Sequence, residues 1–253
     1  MIDFYRFKCF SKYPEVMHAV TNKSSDYPYD FSLALHTGQN SKKIIDNRAL
    51  LSAALSVYDA VHFVVANQTH SDHIKVIETR DTLGWKSLEN AVEDCDALLS
   101  NQKGLVLCIL TADCVPILLY DKKKQVVGAV HAGWKGTQAR IVSKTIEQMK
   151  EVYDSCVEDI VVGIGPAIGS CCYEVGEDVA EHFFDVPEGL SKKGEKYMLD
   201  LPWINKQQLL KLGLKEEHIE MSSLCTACQV DRYFSYRKEK GCDGRFMSVI
   251  GLK

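Results

Sequence analysis

The sequence predicts an α+β fold in one domain spanning residues 1–253, and three observations carry that reading. Short apolar runs of strand length recur along the chain, two segments carry a helical period, and the two kinds of element do not alternate as strict βαβ units. No internal repeat, low-complexity tract or long Pro/Gly/Ser linker divides the 253 residues. A chain of that length can bury a substantial core.

Residues 42–56 follow Ser41 as an N-cap and bring Ile44, Ile45, Leu51 and Leu55 near one helical face. VHFVV (61–65) and LVLCIL (105–110) read as strands. VPILLY (115–120) and QVVGAV (125–130) flank the polar, Lys-rich turn from Asp121 to Gln125, so they read as a hairpin. Pro116 lacks an N–H and restricts the start of its run to a strand edge or first strand position. After Gly136, residues 137–152 form the second helix, with Ile141, Val142, Ile146, Met149 and Val152 on one stripe. DIVVGI (159–164) and FMSVIGL (246–252) complete the strands.

The net charge of −4 and pI of about 6.1 leave no basic footprint, which argues against a nucleic-acid partner. MIDFYRFKCF at the start has no apolar run of signal-peptide length, and no stretch is long and apolar enough to span a membrane. These features predict a cytoplasmic protein. Ten cysteines are many, but a reducing compartment keeps thiols free. Cys108, inside GLVLCIL, reads as a small core hydrophobe. Adjacent Cys171 and Cys172 point to opposite faces if their segment is extended, which does not suit a disulfide pair.

Three segments share one design: an apolar strand, a polar residue able to bind metal, and a break. VHFVVANQTH ends at His70, LVLCILTADC breaks at Cys114, and QVVGAVHAGWKG reaches His131 before a Gly-rich turn into a helix. If the three strands are neighbours in a sheet, the side chains converge at its end. Two imidazoles and a thiolate suit zinc, and three protein ligands leave a fourth position open for water or substrate.

The blocks TADCVPILLYD, VGAVHAGWKGT, GIGPAIGSCCYEVG and CTACQVDRYFSYRKEKGCDGRFMSVIGL resemble successive blocks of the YfiH family. Its members are also called laccase-domain or polyphenol-oxidase-like proteins, and FAMIN is the mammalian relative. NQTHSDHI, DCDALLSNQKG, HAVTNK and SLALHTG fit the same family in the right order, so the resemblance spans nearly the whole chain. It implies an α/β/β/α layered fold with mixed sheets, shared with a bacterial toxin's Cys–His deamidase domain. It also implies a zinc site made by His70, Cys114 and His131, which act catalytically through the metal. The implied activity is phosphorolysis of the purine nucleosides adenosine, inosine, guanosine and methylthioadenosine, with adenosine deamination at the same site.

Several positions depart from the family pattern. Lys23 stands where Arg is usual, Ser24–Ser25 near a usual Gly-Gly, Ala34 where Asn is usual, and Ser71 where Gly often follows the first zinc His. If the usual Arg clamps phosphate or substrate, Lys23 supplies charge without the bidentate fork. Trp134 and Lys135 are candidates for base stacking and phosphate binding, against core packing and a solvated charge. The helix start beside them would favour an anion. Arg237 is a candidate phosphate or ribose contact, against a surface ion pair. Asp113 is a candidate proton-transfer or ligand-supporting carboxylate, against a brace for its turn.

Two cysteine patterns compete for attention. His218-Ile219-Glu220 followed by Cys225-Thr226-Ala227-Cys228 mimics the zinc deaminase pattern, but the Pro is missing and the spacer is too short for the helix that delivers the cysteines. No thioredoxin-like βαβ pattern surrounds the Cys-x-x-Cys either. The glycines of GIGPAIGS (163–170) do not form a nucleotide P-loop and read as a tight turn beside the site. Two other functions share the residues of the main site. A copper polyphenol oxidase could use a His₂Cys set, although the sequence has no His-x-His pair for a trinuclear copper cluster. A metal-free hydrolase could use Cys114 as nucleophile and His131 as base.

Overall fold

A computed structural model of the protein describes residues 2–55 and 61–253. Its first strands are β1 (Phe4–Tyr5), β2 (Val16–Thr21), β3 (His62–Val65), β4 (Ile74–Val76), β5 (Ala97–Ser100), β6 (Leu105–Thr111) and β7 (Val115–Asp121). They continue with β8 (Val126–Ala132), β9 (Ile160–Ile164), β10 (Glu174–Val175), β11 (Leu190–Lys193), β12 (Lys196–Leu199), β13 (Ile219–Met221) and β14 (Phe246–Leu252). The helices are α1 (Ser41–Leu55), α2 (Trp134–Gln138), α3 (Ile141–Tyr153), α4 (Glu177–Ala180) and α5 (Leu201–Lys211).

Among the described residues, one sheet has the order β1-β2-β14-β6-β3 and a second the order β13-β9-β7-β8-β5-β4. Both are mixed, because β3 pairs parallel to β6 while β14 pairs antiparallel to it, and β13 pairs parallel to β9. A small third sheet is formed by β10, β12 and β11.

Alternation of side chains along these strands sets the layering. Leu105, Leu107 and Ile109 of β6 meet Leu118 and Tyr120 of β7 and Val127 and Ala129 of β8 in a core between the two sheets. The opposite face of β6, through Val106, Cys108 and Leu110, packs under Leu51 and Leu55 of α1. On the far side of the second sheet, Ile117, Leu119 and Val130 pack against Ile141, Ile146 and Met149 of α3 and Ile204 and Leu209 of α5. The result is helix, sheet, sheet, helix. Burial on both faces explains why the strands read as unbroken apolar runs.

The β7–β8 hairpin forms with Pro116 opposite His131, and Asp121 Oδ1 accepts the backbone N–H groups of Lys123 and Lys124 in its turn. Regular pairing of β7 with β9 begins at Ile117; one position earlier the Pro116 carbonyl still accepts the Gly165 N–H at 2.8 Å, and only the return bond is lost with the missing N–H of Pro116. The helices depart from expectation in detail. Asn40 rather than Ser41 caps α1, its Oδ1 accepting from Lys43 N at 3.2 Å, and Ser56 lies outside the described residues. The expected helix over 137–152 is two helices, broken where Arg140 adopts a left-handed φ of 61°. Val152 is exposed rather than on the buried stripe. No helix among the described residues is long and apolar enough to cross a membrane.

Candidate active site and metal centre

The two central strands of the second sheet aim their ends into the gap between the sheets. His131 lies on β8 in step with Val127 and Ala129, which face the inter-sheet core. Cys114 immediately precedes β7 and falls in step with Leu118 and Tyr120 on the same side. His70 arrives from the other sheet, on the loop that follows β3, with a left-handed φ of 60°. The three strands are therefore not neighbours in one sheet, the condition under which the sequence had the side chains converge, yet the side chains meet all the same. The chain crosses from β6 to β7 between sheets, through Asp113 at φ 91°, and the site forms at the seam.

One ligand atom from each of His70, Cys114 and His131 lies within 4.8 Å of the others. Cys114 Sγ is 3.9 Å from His70 Nε2, and the two imidazoles meet edge to face with centroids 4.8 Å apart. His131 Nδ1 is bonded to Asp96 Oδ1 at 2.7 Å, which leaves its Nε2 for the centre. Asp96 is wholly buried. Its carboxylate also accepts from His70 N at 3.1 Å, Ser71 N at 2.7 Å and Ser71 Oγ at 2.7 Å. Ser71 thus supplies a hydroxyl donor to Asp96 that a glycine there could not. Gly133 keeps the centre open, since a Cβ there would stand 3.1 Å from Cys114 Sγ and 3.1 Å from His70 Cδ2.

The charges within this group reinforce one another. Burial opposes ionisation of Cys114, but His131 and His70 outweigh it and lower the thiol pKa to about 6. Burial likewise disfavours the His131 imidazolium, yet Cys114 and Asp96 raise its pKa to about 9. Against its own burial, Asp96 is held down to about 2 by His131 and Ser71. Two nitrogens and a thiolate at this spacing, one imidazole backed by a buried carboxylate, match the donors a zinc-type ion takes.

The centre opens into a cleft of about 520 Å³. Its wall includes Trp134, Tyr173, Tyr236, Arg237, Arg245 and His36. Trp134 also stacks on His182, with centroids 5.6 Å apart. Arg237 Nη1 donates to the Glu174 carbonyl, and its guanidinium carbon lies 5.2 Å from the Tyr173 ring centroid. Asp113 lines the cleft, but its two oxygens accept from Thr226 Oγ1 at 2.6 Å and Arg237 N at 2.7 Å, the geometry of a brace. The GIGPAIGS turn joins this wall through Ile168 N, which donates to the Asp113 carbonyl.

Two of the sequence candidates stand apart. Lys23 does not line the cleft; its ammonium donates to Glu239 Oε1 at 2.6 Å and the Val230 carbonyl at 3.0 Å. Lys135 is exposed and outside the cleft wall. The helix that follows His131 is only five residues long, so little dipole is available there for an anion. Sequence reasoning missed Asp96, Arg245, His36, Tyr173 and Tyr236. DCDALLS, which holds Asp96, and SYRKEKGCDGR, which leads to Arg245, belonged to the resembling blocks, and only that membership pointed to them.

The family model for the multi-copper polyphenol oxidoreductase laccase matches residues 17–253. The chain belongs to this family. Among curated relatives, a purine nucleoside phosphorylase of Bacteroides thetaiotaomicron is 33% identical over 96% of this chain and 94% of its own length. An enzyme from an unknown prokaryotic organism, named adenosine deaminase RL5, is 33% identical over 88% of this chain and 87% of its own. The crystal structure of the hypothetical protein YfiH from Bacillus licheniformis superposes with a TM-score of 0.90 at 33% identity, covering 96% of this chain and 94% of that one. Members of the family thus carry laccase, phosphorylase and deaminase names on one fold.

Proposed function

We propose that the chain, as one catalytic domain over residues 1–253, is a zinc-dependent purine nucleoside phosphorylase that also deaminates adenosine, acting in the cytoplasm. The carrying observation is the three-ligand group of His70, Cys114 and His131 opening into a cleft that combines aromatic rings with two arginines. Relatives named purine nucleoside phosphorylase and adenosine deaminase support the two reaction classes, and the nucleosides proposed are adenosine, inosine, guanosine and methylthioadenosine.

His70, Cys114 and His131 would hold the zinc and leave one position open. When bound, the metal supplies a Lewis acid that lowers the pKa of water and withdraws charge from a substrate heteroatom. The remaining work falls to the chain itself. Trp134, Tyr173 and Tyr236 offer faces for a purine ring. Arg237 and Arg245 place positive charge along the same wall, where phosphate and developing negative charge need it. Asp96 keeps the His131 proton on Nδ1, so that Nε2 faces the centre.

The copper oxidase reading draws on the family description and the His₂Cys set. A multi-copper centre needs further histidine clusters. Among the described residues, the other candidate metal group contains cysteines alone. A second reading has a specific observation behind it: Cys114, His131 and Asp96 form a thiol–imidazole–carboxylate series like that of cysteine hydrolases. Turnover of adenosine with and without phosphate separates the two. Under the zinc reading, His70→Ala, Cys114→Ser and chelator treatment each abolish ribose 1-phosphate and inosine formation. Near-normal rates in His70→Ala and chelated enzyme would overturn it and favour the Cys114–His131 pair.

A further inference from the structure

Four more thiols gather away from the ligand centre. Cys171 and Cys172 occupy the turn after β9, and Cys225 and Cys228 the turn after β13. Their four Sγ atoms all lie within 4.8 Å of one another. Cys228 Sγ is 3.6 Å from that of Cys171 and 3.5 Å from that of Cys172, and the Gly169 N–H points at Cys225 Sγ at 3.3 Å. The two turns are tied by backbone hydrogen bonds, Ala167 N to the Leu224 carbonyl and Thr226 N to the Ala167 carbonyl. Adjacent Cys171 and Cys172 do not diverge as an extended segment would make them, because the chain turns here and sends both thiols to one point.

Core filling does not account for this group. Cys95 and Cys108 are wholly buried and behave as small apolar side chains. By contrast, Cys171 and Cys228 are exposed, and Cys172 and Cys225 are half-buried. Disulfide pairing does not account for it either, since Cys228 is as near to one of the adjacent cysteines as to the other. A common centre treats all four alike.

We propose that Cys171, Cys172, Cys225 and Cys228 bind a structural zinc ion as four thiolates. A tetrahedral ion with Zn–S bonds of about 2.3 Å holds its sulfurs roughly 3.8 Å apart. The separations of 3.5 and 3.6 Å from Cys228 need only a small outward adjustment. Cys225 and Cys228 have the Cys-x-x-Cys spacing common in such sites, and the Gly169 N–H offers a donor to a ligating sulfur. A polynuclear iron–sulfur cluster spreads its thiolates over several metal atoms and needs wider spacing than this group has. Four protein ligands close the coordination sphere, so the site binds no substrate. The pair Cys225–Cys228, set beside His218 and Glu220 in sequence, finds its partners in Cys171 and Cys172 instead.

The position gives the ion a task. Tyr173 follows Cys172 directly, and Thr226 follows Cys225 and donates to Asp113, which also receives the Arg237 N–H. A zinc ion here would staple the turn that leads into Tyr173 to the turn whose Thr226 braces Asp113, the carboxylate that holds the Arg237 backbone at the cleft wall.

Metal counting on the full chain tests this, using elemental analysis and native mass spectrometry after zinc loading and removal of loose ions. Wild type should retain two zinc ions per chain. Cys225→Ser/Cys228→Ser should lose one and keep the other, while His70→Ala/His131→Ala should show the reverse. If the cleft centre takes no zinc, the count should still drop from one to none in the cysteine variant, so the two claims fail separately. Cobalt(II) substitution of wild type and of the histidine variant needs no change in the cysteines. Both should show the intense thiolate charge-transfer bands of a four-sulfur tetrahedral site. The proposal is overturned if wild type and the cysteine variant hold the same number of zinc ions. It is equally overturned if the histidine variant lacks those bands, or if the four cysteines of purified wild type are joined as disulfides.

Discussion

Asp96 Oδ1 and His131 Nδ1 lie 2.7 Å apart with both side chains almost sealed from water. The same carboxylate holds the backbone of His70 and the backbone and hydroxyl of Ser71. One buried residue on the approach to β5 therefore fixes two of the three candidate ligands, one from each sheet.

Asp96→Asn keeps the shape of the side chain but replaces one acceptor oxygen with a donor. Its zinc affinity should fall on the order of 10- to 100-fold, as is usual when the partner of a ligating histidine is lost. Competition titration against a chromophoric chelator measures this. Unchanged affinity would mean that Asp96 only braces the fold.

In metal-free protein, Cys114 should behave as an unusually acidic thiol. Its pKa is about 6, because His131 and His70 outweigh the opposing effect of burial. Iodoacetamide labelling of Cys114, followed by peptide mass mapping, should reach half its limiting rate near that pH. In His131→Ala the midpoint should move up toward the ordinary thiol range. Labelling that rises only at alkaline pH in metal-free wild type would contradict the ion pair.

The same pair makes two opposed contributions to metal-free stability. His131 has a folded pKa of about 9, raised by Cys114 and Asp96 against burial, so its contribution is full below the unfolded value of about 6.5 and disappears as pH rises through the folded one. Cys114, lowered to about 6 by His131 and His70, acts in the opposite sense, its contribution growing as pH rises from there toward the ordinary thiol range. The Tm of metal-free wild type should therefore stay nearly level between about pH 6.5 and 9. In Cys114→Ser, which removes the opposing thiol and leaves Asp96 beside His131, Tm should decline as pH rises through that range. A steep slope in wild type, or a level profile in the variant, by differential scanning calorimetry would contradict it.

Much of this was legible in the sequence because burial leaves a plain trace. β6, β7, β8, β9 and β14 are buried along their whole length, so each reads as an apolar run. β2 was missed because its pattern is broken by His18, which accepts the Phe7 N–H at 2.9 Å and is satisfied inside the core. α5 was missed because Asn205 lies buried on it, bonded to Thr137 Oγ1, where a periodic apolar stripe would need a hydrophobe. His70, Cys114 and His131 were visible as candidate ligands at strand ends, but the seam they share was not. It depends on β6 and β7 joining different sheets, a matter of long-range pairing rather than local pattern. Lys23 illustrates the converse. Its role as a substrate cation was inferred by position in a family block, whereas Glu239, 216 residues away in sequence, engages its charge.

Gly133→Ala tests how tightly the centre is built. The added Cβ would stand 3.1 Å from both Cys114 Sγ and His70 Cδ2, closer than ordinary contact, so one ligand must shift. Its φ of −73° suits alanine, so the backbone itself should not object. Zinc affinity should drop with little change in the Tm of metal-free protein. A variant with wild-type affinity would show that the centre yields freely.

The arginines of the cleft allow the two proposed reactions to be separated. Arg237 is anchored by its backbone N–H to Asp113, a bond that any side-chain substitution leaves intact. Its guanidinium, beside Tyr173 and the Glu174 carbonyl, is then free to be altered without disturbing that brace. If it holds phosphate, Arg237→Ala loses charge-assisted hydrogen bonds worth roughly 1.5–3 kcal/mol, or about a tenfold to hundredfold rise in the KM for phosphate. Arg237→Lys should recover only part of this, since a point charge cannot replace the fork. Deamination uses water and not phosphate, so its kcat/KM on adenosine should change little in either variant. Lys23→Met is the control: it removes the partner of Glu239 and should lower stability by roughly 1–3 kcal/mol without raising the KM for phosphate. Initial rates of phosphorolysis against phosphate concentration, set beside deamination rates, decide the matter. Equal losses in both reactions would place Arg237 against the nucleoside instead of the phosphate.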